Sequence, residues 1–223
     1  MDLHELEQLE ERDAHLPTPS APPCPWGDDS KNGKAADPGL LPLSMKRLKD
    51  LAPLYFSWFR HPAKLFRILG PEDFAKADVA LIRYILWNGD SNPAYVMSVD
   101  PFLVAAYSAD IDTVVLLKFH KHDAQDNGLS VGDRLLSVNY YYKLDDGKHA
   151  RDLVAGKGDS GRWQNFEPMI ADLLSDYRGR IERRKAELSE DLWARALELA
   201  EEAMARPDRT HRSGNPALSG WPA

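Results

Sequence analysis

A single cysteine, Cys24, occurs in the 223 residues. No internal disulfide can form, and no multi-cysteine zinc site can be built. Cys24 lies within Pro-Pro-Cys-Pro-Trp, a setting that suits an exposed thiol rather than a buried nucleophile. Long apolar runs are also missing: the longest clusters, around 79–81 and 114–117, fall far short of the roughly 20 residues a membrane span needs. The chain opens Met-Asp-Leu-His-Glu-Leu-Glu-Gln-Leu-Glu-Glu, acidic where a signal peptide would be basic and then apolar. A soluble, cytoplasmic protein is the expectation. Internal repeats are absent, and low-complexity sequence is confined to the ends.

What is there is unevenly placed. The net charge is −7, and residues 1–40 carry nine acids against three bases together with six of the sixteen prolines. Such a stretch has little apolar surface to set against its ordering entropy, so it reads as a disordered, acidic, Pro-rich tail. Leu3, Leu6 and Leu9, spaced three apart, allow one short docking helix within it. The body, residues 41–206, reads as a single α+β domain, and 207–223 as a flexible C-terminal tail.

Within the body, Ser44 is placed to cap a short helix, and Pro71 to open a longer one. Phe74, Ala77, Leu81, Ile82 and Ile85 line one face of that second helix, and Asn88-Gly89-Asp90 stops it. Four β-rich runs follow, separated by turn formers: Ala94 to Val99, Leu103 to Tyr107, Thr113 to Phe119 and Arg134 to Tyr142. A hairpin turn falls at 108–112 and a polar loop at 120–132. Residues 150–154 read as a short edge strand, and Asn165 as the cap of a helix carrying Met169, Ile170, Leu173 and Leu174. Ser189 caps a last helix with Leu192, Trp193, Leu197 and Ala200 inward, and Pro207 ends it. Short connections favour an antiparallel arrangement. The fold class is therefore α+β: a small antiparallel meander of three to five strands over 94–154, packed against N-terminal and C-terminal helices. One sheet face is left for recognition or self-association, so a homo-oligomer is compatible with the pattern.

Motifs for chemistry are weak. Gly156-Lys157-Gly158-Asp159-Ser160-Gly161 fits G-x-G-x-x-G, but a dinucleotide fingerprint belongs to an early βαβ unit and the chain has none. Its inner Gly-Asp-Ser-Gly echoes a serine-protease nucleophile segment, yet the chain is too helical for that two-barrel body. His120, His122 and Asp123 stand at a strand end, and Asp110 and Asp112 at a turn. Together they form a candidate divalent-metal set. Tyr140 and Tyr142 share one face of a strand and could pack or form a binding platform. No cofactor is indicated.

Two basic clusters stand against the acidic total. Residues 44–69 carry a local +5 and include Trp58, Arg60, Lys64 and Arg67. Residues 178–185 carry +4 and include Arg180 and Arg184. Basic groups among aromatics suit an acidic protein, nucleic acid or an anionic surface, whereas a solvated helix face is the plainer reading. A −6 tail beside such clusters is expected to fold back over one of them and screen it. Function is then expected to be that of a non-catalytic bacterial interaction protein, an adaptor or toxin-neutralising partner that binds another protein. Its anchors would include Trp58, Arg60, Lys64, Arg67, Tyr140, Tyr142, Arg180 and Arg184. The alternatives are a small metal-dependent enzyme using the 120–123 loop, or a binder of nucleic acid or anionic surfaces through 44–69.

Overall fold

Side-chain alternation builds two cores, one on each face of a sheet. In the strand Phe102–Ser108 (β2), Phe102, Val104 and Ala106 enter one core while Ala105 and Tyr107 enter the other. Its neighbour Thr113–Lys118 (β3) does the same, with Val115 and Leu117 on one side and Val114 and Leu116 on the other. Period-two alternation with both sets apolar means a sheet buried on both faces.

The computed structural model describes residues 3–24, 35–53, 71–144, 147–158 and 162–216. The helices are α1 (Leu3–Ala14), α2 (Met45–Leu51), α3 (Pro71–Asn88), α4 (Lys121–Asp126), α5 (Ala171–Leu174), α6 (Arg178–Glu187) and α7 (Glu190–Ala205). The remaining strands are β1 (Asp90–Val99), β4 (Arg134–Tyr142), β5 (Leu153–Ala155), β6 (Asn165–Ile170) and β7 (Arg212–Ser213). The strand order is β5-β3-β2-β1-β4-β6, and β7 adds to β3 in parallel. The chain is α+β with an antiparallel sheet, as the sequence indicates, but among the described residues the sheet has seven strands rather than three to five. Only β1 to β3 form a meander. β4 returns beyond α4 to pair with β1, which gives the 4-1-2-3 order of a Greek key.

Three other local expectations are corrected. The helix expected from Asn165 begins as a strand instead: residues 165–170 pair with β4, and edge strand β6 tolerates Pro168. The polar loop at 120–132 contains α4. Neither sheet face is open, because α7 covers one with Trp193, Ala196, Leu199, Ala200 and Ala203 while α3 fills the other with Ile82, Ile85 and Leu86. The caps fall where the sequence puts them. Ser44 Oγ accepts the Arg47 N–H at 3.3 Å, and Ser189 Oγ accepts the Leu192 N–H at 3.2 Å. The side chains of Phe74 and Ala77 lie outside the described set.

Two segments within the stretches that read as tails, Leu3–Ala14 and Arg212–Ser213, contact the body. α1 packs along α6, and Arg212 of β7 grips Asp152 with two bonds at 2.5 and 2.8 Å. Composition alone shows neither, because each contact depends on partners distant in the chain.

A proline in the middle of the sheet accounts for one of its buried amides. Pro93 sits in β1 between β2 and β4, where the ladder would need its N–H. One step beyond the Ala94–Ala106 pair it faces Tyr107. The Tyr107 carbonyl is satisfied instead by Asn139 Nδ2 at 2.7 Å, and Asn92 Oδ1 accepts the Ala109 N–H at 2.9 Å. The Asn139 amide repairs the ladder.

Candidate interaction surface on the basic helix

α6 has two kinds of cation on its two sides. Lys185 and Arg178 turn inward to Asp172, at 2.7 and 3.6 Å, and the second Asp172 oxygen accepts the Leu136 N–H at 2.8 Å. Burial works against the Lys185 ammonium, but the Asp172 and Glu182 carboxylates outweigh it and hold its pKa above the usual lysine value. Burial lowers the pKa of Arg178, and the nearby Arg47 charge lowers it further. This inner set fixes α6 to β4 and is structural.

The outer set, Arg180, Arg183 and Arg184, meets the acidic N-terminal segment. Arg183 makes a two-pronged pair with Glu10 at 2.5 and 2.6 Å, and Arg184 reaches Asp37 at 2.7 Å. Burial raises the Asp37 pKa in spite of that arginine. Arg180 lies over the Tyr177 ring at 5.3 Å and donates to the Leu40 carbonyl at 3.4 Å. Its backbone N–H takes a carboxylate oxygen of Asp13 at 2.9 Å. That bond is a helix cap supplied from elsewhere in the chain, since Tyr177 at the N-cap of α6 gives no side-chain bond of its own. The Tyr177 hydroxyl donates to the Pro17 carbonyl.

The two helices touch backbone to backbone. A Cβ on Gly179 would lie 2.7 Å from the Glu10 nitrogen and 2.8 Å from its Cα. Leu6, Leu9, Glu10 and Asp13 turn towards the body and are half-buried, and no described side chain of α1 is fully buried. A 12-residue helix is marginal in water without tertiary support. Half-buried leucines give roughly 1 kcal/mol each, and an exposed ion pair gives little and is weakened by salt. α1 is therefore held by a narrow margin.

The other sequence candidates do not converge on one site. Asp123 accepts the His120 N–H at 3.0 Å in a capping box, so it serves the first turn of α4. Asp110 accepts from Trp163 Nε1 at 3.1 Å, at the opposite end of β3. Asp112 is gripped by Arg195 at 3.0 and 2.7 Å, by Tyr107 Oη at 2.9 Å and by the Gly158 N–H at 2.7 Å. Among the described residues no three His, Cys, Asp or Glu side chains stand where they could share a metal ion. His122 is exposed on α4. Tyr140 packs edge-on to Tyr84 at 6.5 Å, and Tyr142 Oη accepts from Asn165 at 2.6 Å, so both are engaged in packing. Trp58, Arg60, Lys64 and Arg67 lie outside the described residues.

Two concavities flank these elements. The one between Tyr84, Asp90, Asn139, Tyr141 and Trp163 holds about 30 Å³, room for only a water or two. The other, about 360 Å³ between α2 and α4, is lined by Lys46, Arg47, Asp50, Asp123, Asp126 and Asp176. There Arg47 is already paired with Asp176 at 2.5 Å and with Asn127 at 3.0 Å.

Sequence reading names Arg180 and Arg184 but misses Gly179, Arg183, Glu10 and Asp13 as contact residues. The signal was partial: the acid at 10 and the arginine at 183 are complementary charges, whereas Asp13 takes the Arg180 backbone N–H, a bond that no residue type announces. Among the described residues no helix is long and apolar enough to cross a membrane. No family model, curated protein or solved structure matches the chain.

Proposed function

We propose that the chain is a non-catalytic interaction protein, of the adaptor or toxin-neutralising kind, and that the outer face of α6 is where it binds another protein. The observation that carries this reading is the α1–α6 contact, in which an acidic amphipathic helix pairs Glu10 with the Arg183 guanidinium and Asp13 with the Arg180 backbone N–H. A surface that takes such a helix within its own chain has the charge and shape to take one from elsewhere. The described groups best suited to chemistry support the reading in another way. Asp112, Asp123, Asp172 and Arg195 are each engaged in holding elements together.

The test is affinity purification of the full chain from its native host, with quantitative mass spectrometry of what accompanies it. A protein partner recovered in stoichiometric amount by the wild type, and lost with Arg180→Glu/Arg183→Glu/Arg184→Glu, is the expected result. A partner retained by that triple variant moves the interface away from α6. Recovery of the chain alone refutes the interaction reading.

A further inference from the structure

We propose that α6 is a receptor for an acidic amphipathic helix of a partner protein, and that α1 is the cis occupant which such a helix displaces. The receptor assignment rests on the interaction reading above and names the chemistry of its partner. Three features suit a helix better than a diffuse polyanion. Gly179 lets a second backbone approach to a distance that any Cβ would block. The open N-terminus of α6 takes a carboxylate at its third residue, the position Asp13 fills. Arg183 grips a second carboxylate one turn earlier in the incoming helix, that of Glu10. Leu6 and Leu9 complete the inward stripe. The ligand specification is therefore Leu-x-x-Leu-Glu-x-x-Asp on a helix.

The occupant is built to leave. Every described contact residue of α1 is half-buried at most, and its ion pairs sit at the surface. Its departure would not free it, because Leu16 packs on the main core and the Tyr177 hydroxyl holds Pro17. Tethered in this way, α1 returns at high effective concentration, so a partner helix must exceed a threshold set by the chain itself. The acidic segment then acts as a specificity filter as well as a screen: weak or merely charged ligands lose to it.

The test uses the full chain and a fluorescein-labelled peptide of residues 1–16, read by fluorescence anisotropy. Leu9→Asp/Glu10→Arg releases α1 while changing only half-buried side chains, and near-UV circular dichroism checks that the body is intact. The released chain is expected to bind the peptide at least tenfold more tightly than the wild type. A scrambled peptide of the same composition should bind it at least tenfold more weakly, and Gly179→Leu in the released chain should abolish capture. Should Leu9→Asp disturb the fold, Glu10→Gln/Asp13→Asn replaces it, with a several-fold gain expected. Equal binding to wild-type and released chains overturns the proposal. So does equal binding of the scrambled peptide, or indifference to Gly179→Leu. A wild-type dimer in light scattering that the release variant dissolves also overturns it, since α1 would then seat on a second copy. Peptide capture without any host partner leaves the receptor standing and refutes the interaction reading; a host partner retained by Gly179→Leu does the reverse.

Discussion

Removing the Asp112 carboxylate should be among the most damaging single changes to this fold. The side chain is 8% exposed and receives four hydrogen bonds: two from Arg195, one from the Tyr107 hydroxyl and one from the Gly158 N–H. Through them the β2–β3 turn is joined to α7 and to the segment after β5. Asp112→Ala leaves Tyr107 Oη and Gly158 N without that acceptor, and Arg195 with only Glu198. Breaking one partner of a largely buried pair costs about 3–5 kcal/mol, so a loss of about 4 kcal/mol is expected. Against a total stability of roughly 5–15 kcal/mol that is a large fraction. Asp112→Asn keeps the shape and suits the left-handed backbone at φ 41. It loses the charge, and its NH2 cannot accept from the Arg195 N–H that it faces, so it should cost about 2 kcal/mol or more.

The assay is urea unfolding followed by circular dichroism, for Asp112→Ala, Asp112→Asn, Arg195→Met and the Asp112→Asn/Arg195→Met double variant. A coupling of about 1.5 kcal/mol or more between the two sites is expected. The pH dependence supplies a second reading. Two bonds from Arg195, helped by Gly158 and Tyr107 against burial, hold the Asp112 carboxyl at about 2 rather than its ordinary 3.8. A carboxyl whose pKa is depressed on folding stabilises above its unfolded value, and that stability is lost as pH falls through its folded value. At roughly 1.4 kcal/mol per unit, the pair contributes about 2 kcal/mol at neutral pH. The gap between wild type and Asp112→Asn should therefore be full above about pH 5 and close between about pH 4 and 2. A cost below about 1 kcal/mol for Asp112→Ala, or zero coupling to Arg195, refutes this account.

Other residues give shorter tests. Trp193 is 1% exposed, lies edge-on to Tyr95 at 5.4 Å and sits under Arg134 at 4.8 Å. Trp193→Ala should cost about 3–5 kcal/mol in urea unfolding, and a loss below about 1.5 kcal/mol would mean α7 is not seated as described. Burial raises the Glu167 pKa despite Arg212 at 3.9 Å, so its charge opposes folding at neutral pH and that penalty fades on acidification. Glu167→Gln should therefore match or exceed the wild-type melting temperature at pH 7 and lose that advantage by pH 4; a clear drop at pH 7 would refute it. Ser189→Ala removes the α7 cap and should cost about 1 kcal/mol, checked by the same unfolding curves. In native hydrogen exchange, α1 amides should exchange at least a hundredfold faster than those of β1 and β2, and faster again in 0.5 M salt. Equal protection would mean α1 is part of the core.

The parts of this fold that are legible in the sequence are those where neighbouring residues decide. Ser44 and Ser189 cap because a short hydroxyl and a nearby N–H suffice. Pro71 begins a helix because its fixed φ and missing donor suit that place. The runs through β1 to β4 read as strands because their β-branched and aromatic residues want a pleated surface. What distant partners decide is not legible. The strand Asn165–Ile170 reads locally as a helix start, and becomes a strand because Tyr142 to Ser137 of β4 offer it a ladder. Trp193 and Ala200 read as inward and are buried, Leu192 and Leu197 pack at the edge of the same core, and Ala196, Leu199 and Ala203 complete the face that α7 lays on β1, β2 and β3.

The surface on α6 falls between these cases, and that position bears on what the chain does. Net charge shows that an acidic segment and basic clusters coexist, and complementarity alone argues that they should meet. It cannot choose between the clusters at 44–69 and 178–185, since Coulomb attraction at the surface is unspecific and screened within about 10 Å. The contact of α1 with α6 is specified by Gly179 and by a helix start with no cap of its own, two features that are silent in composition and matter only once a second helix arrives. A contact specified by shape but held weakly by charge has the properties of recognition rather than of a core. A helix meant to stay would carry an apolar residue where Glu10 stands, and α6 would supply its own cap in place of Tyr177. The fold instead retains an occupant that salt, competing helices or a few charge reversals should lift away, while β1 to β6 stay closed beneath.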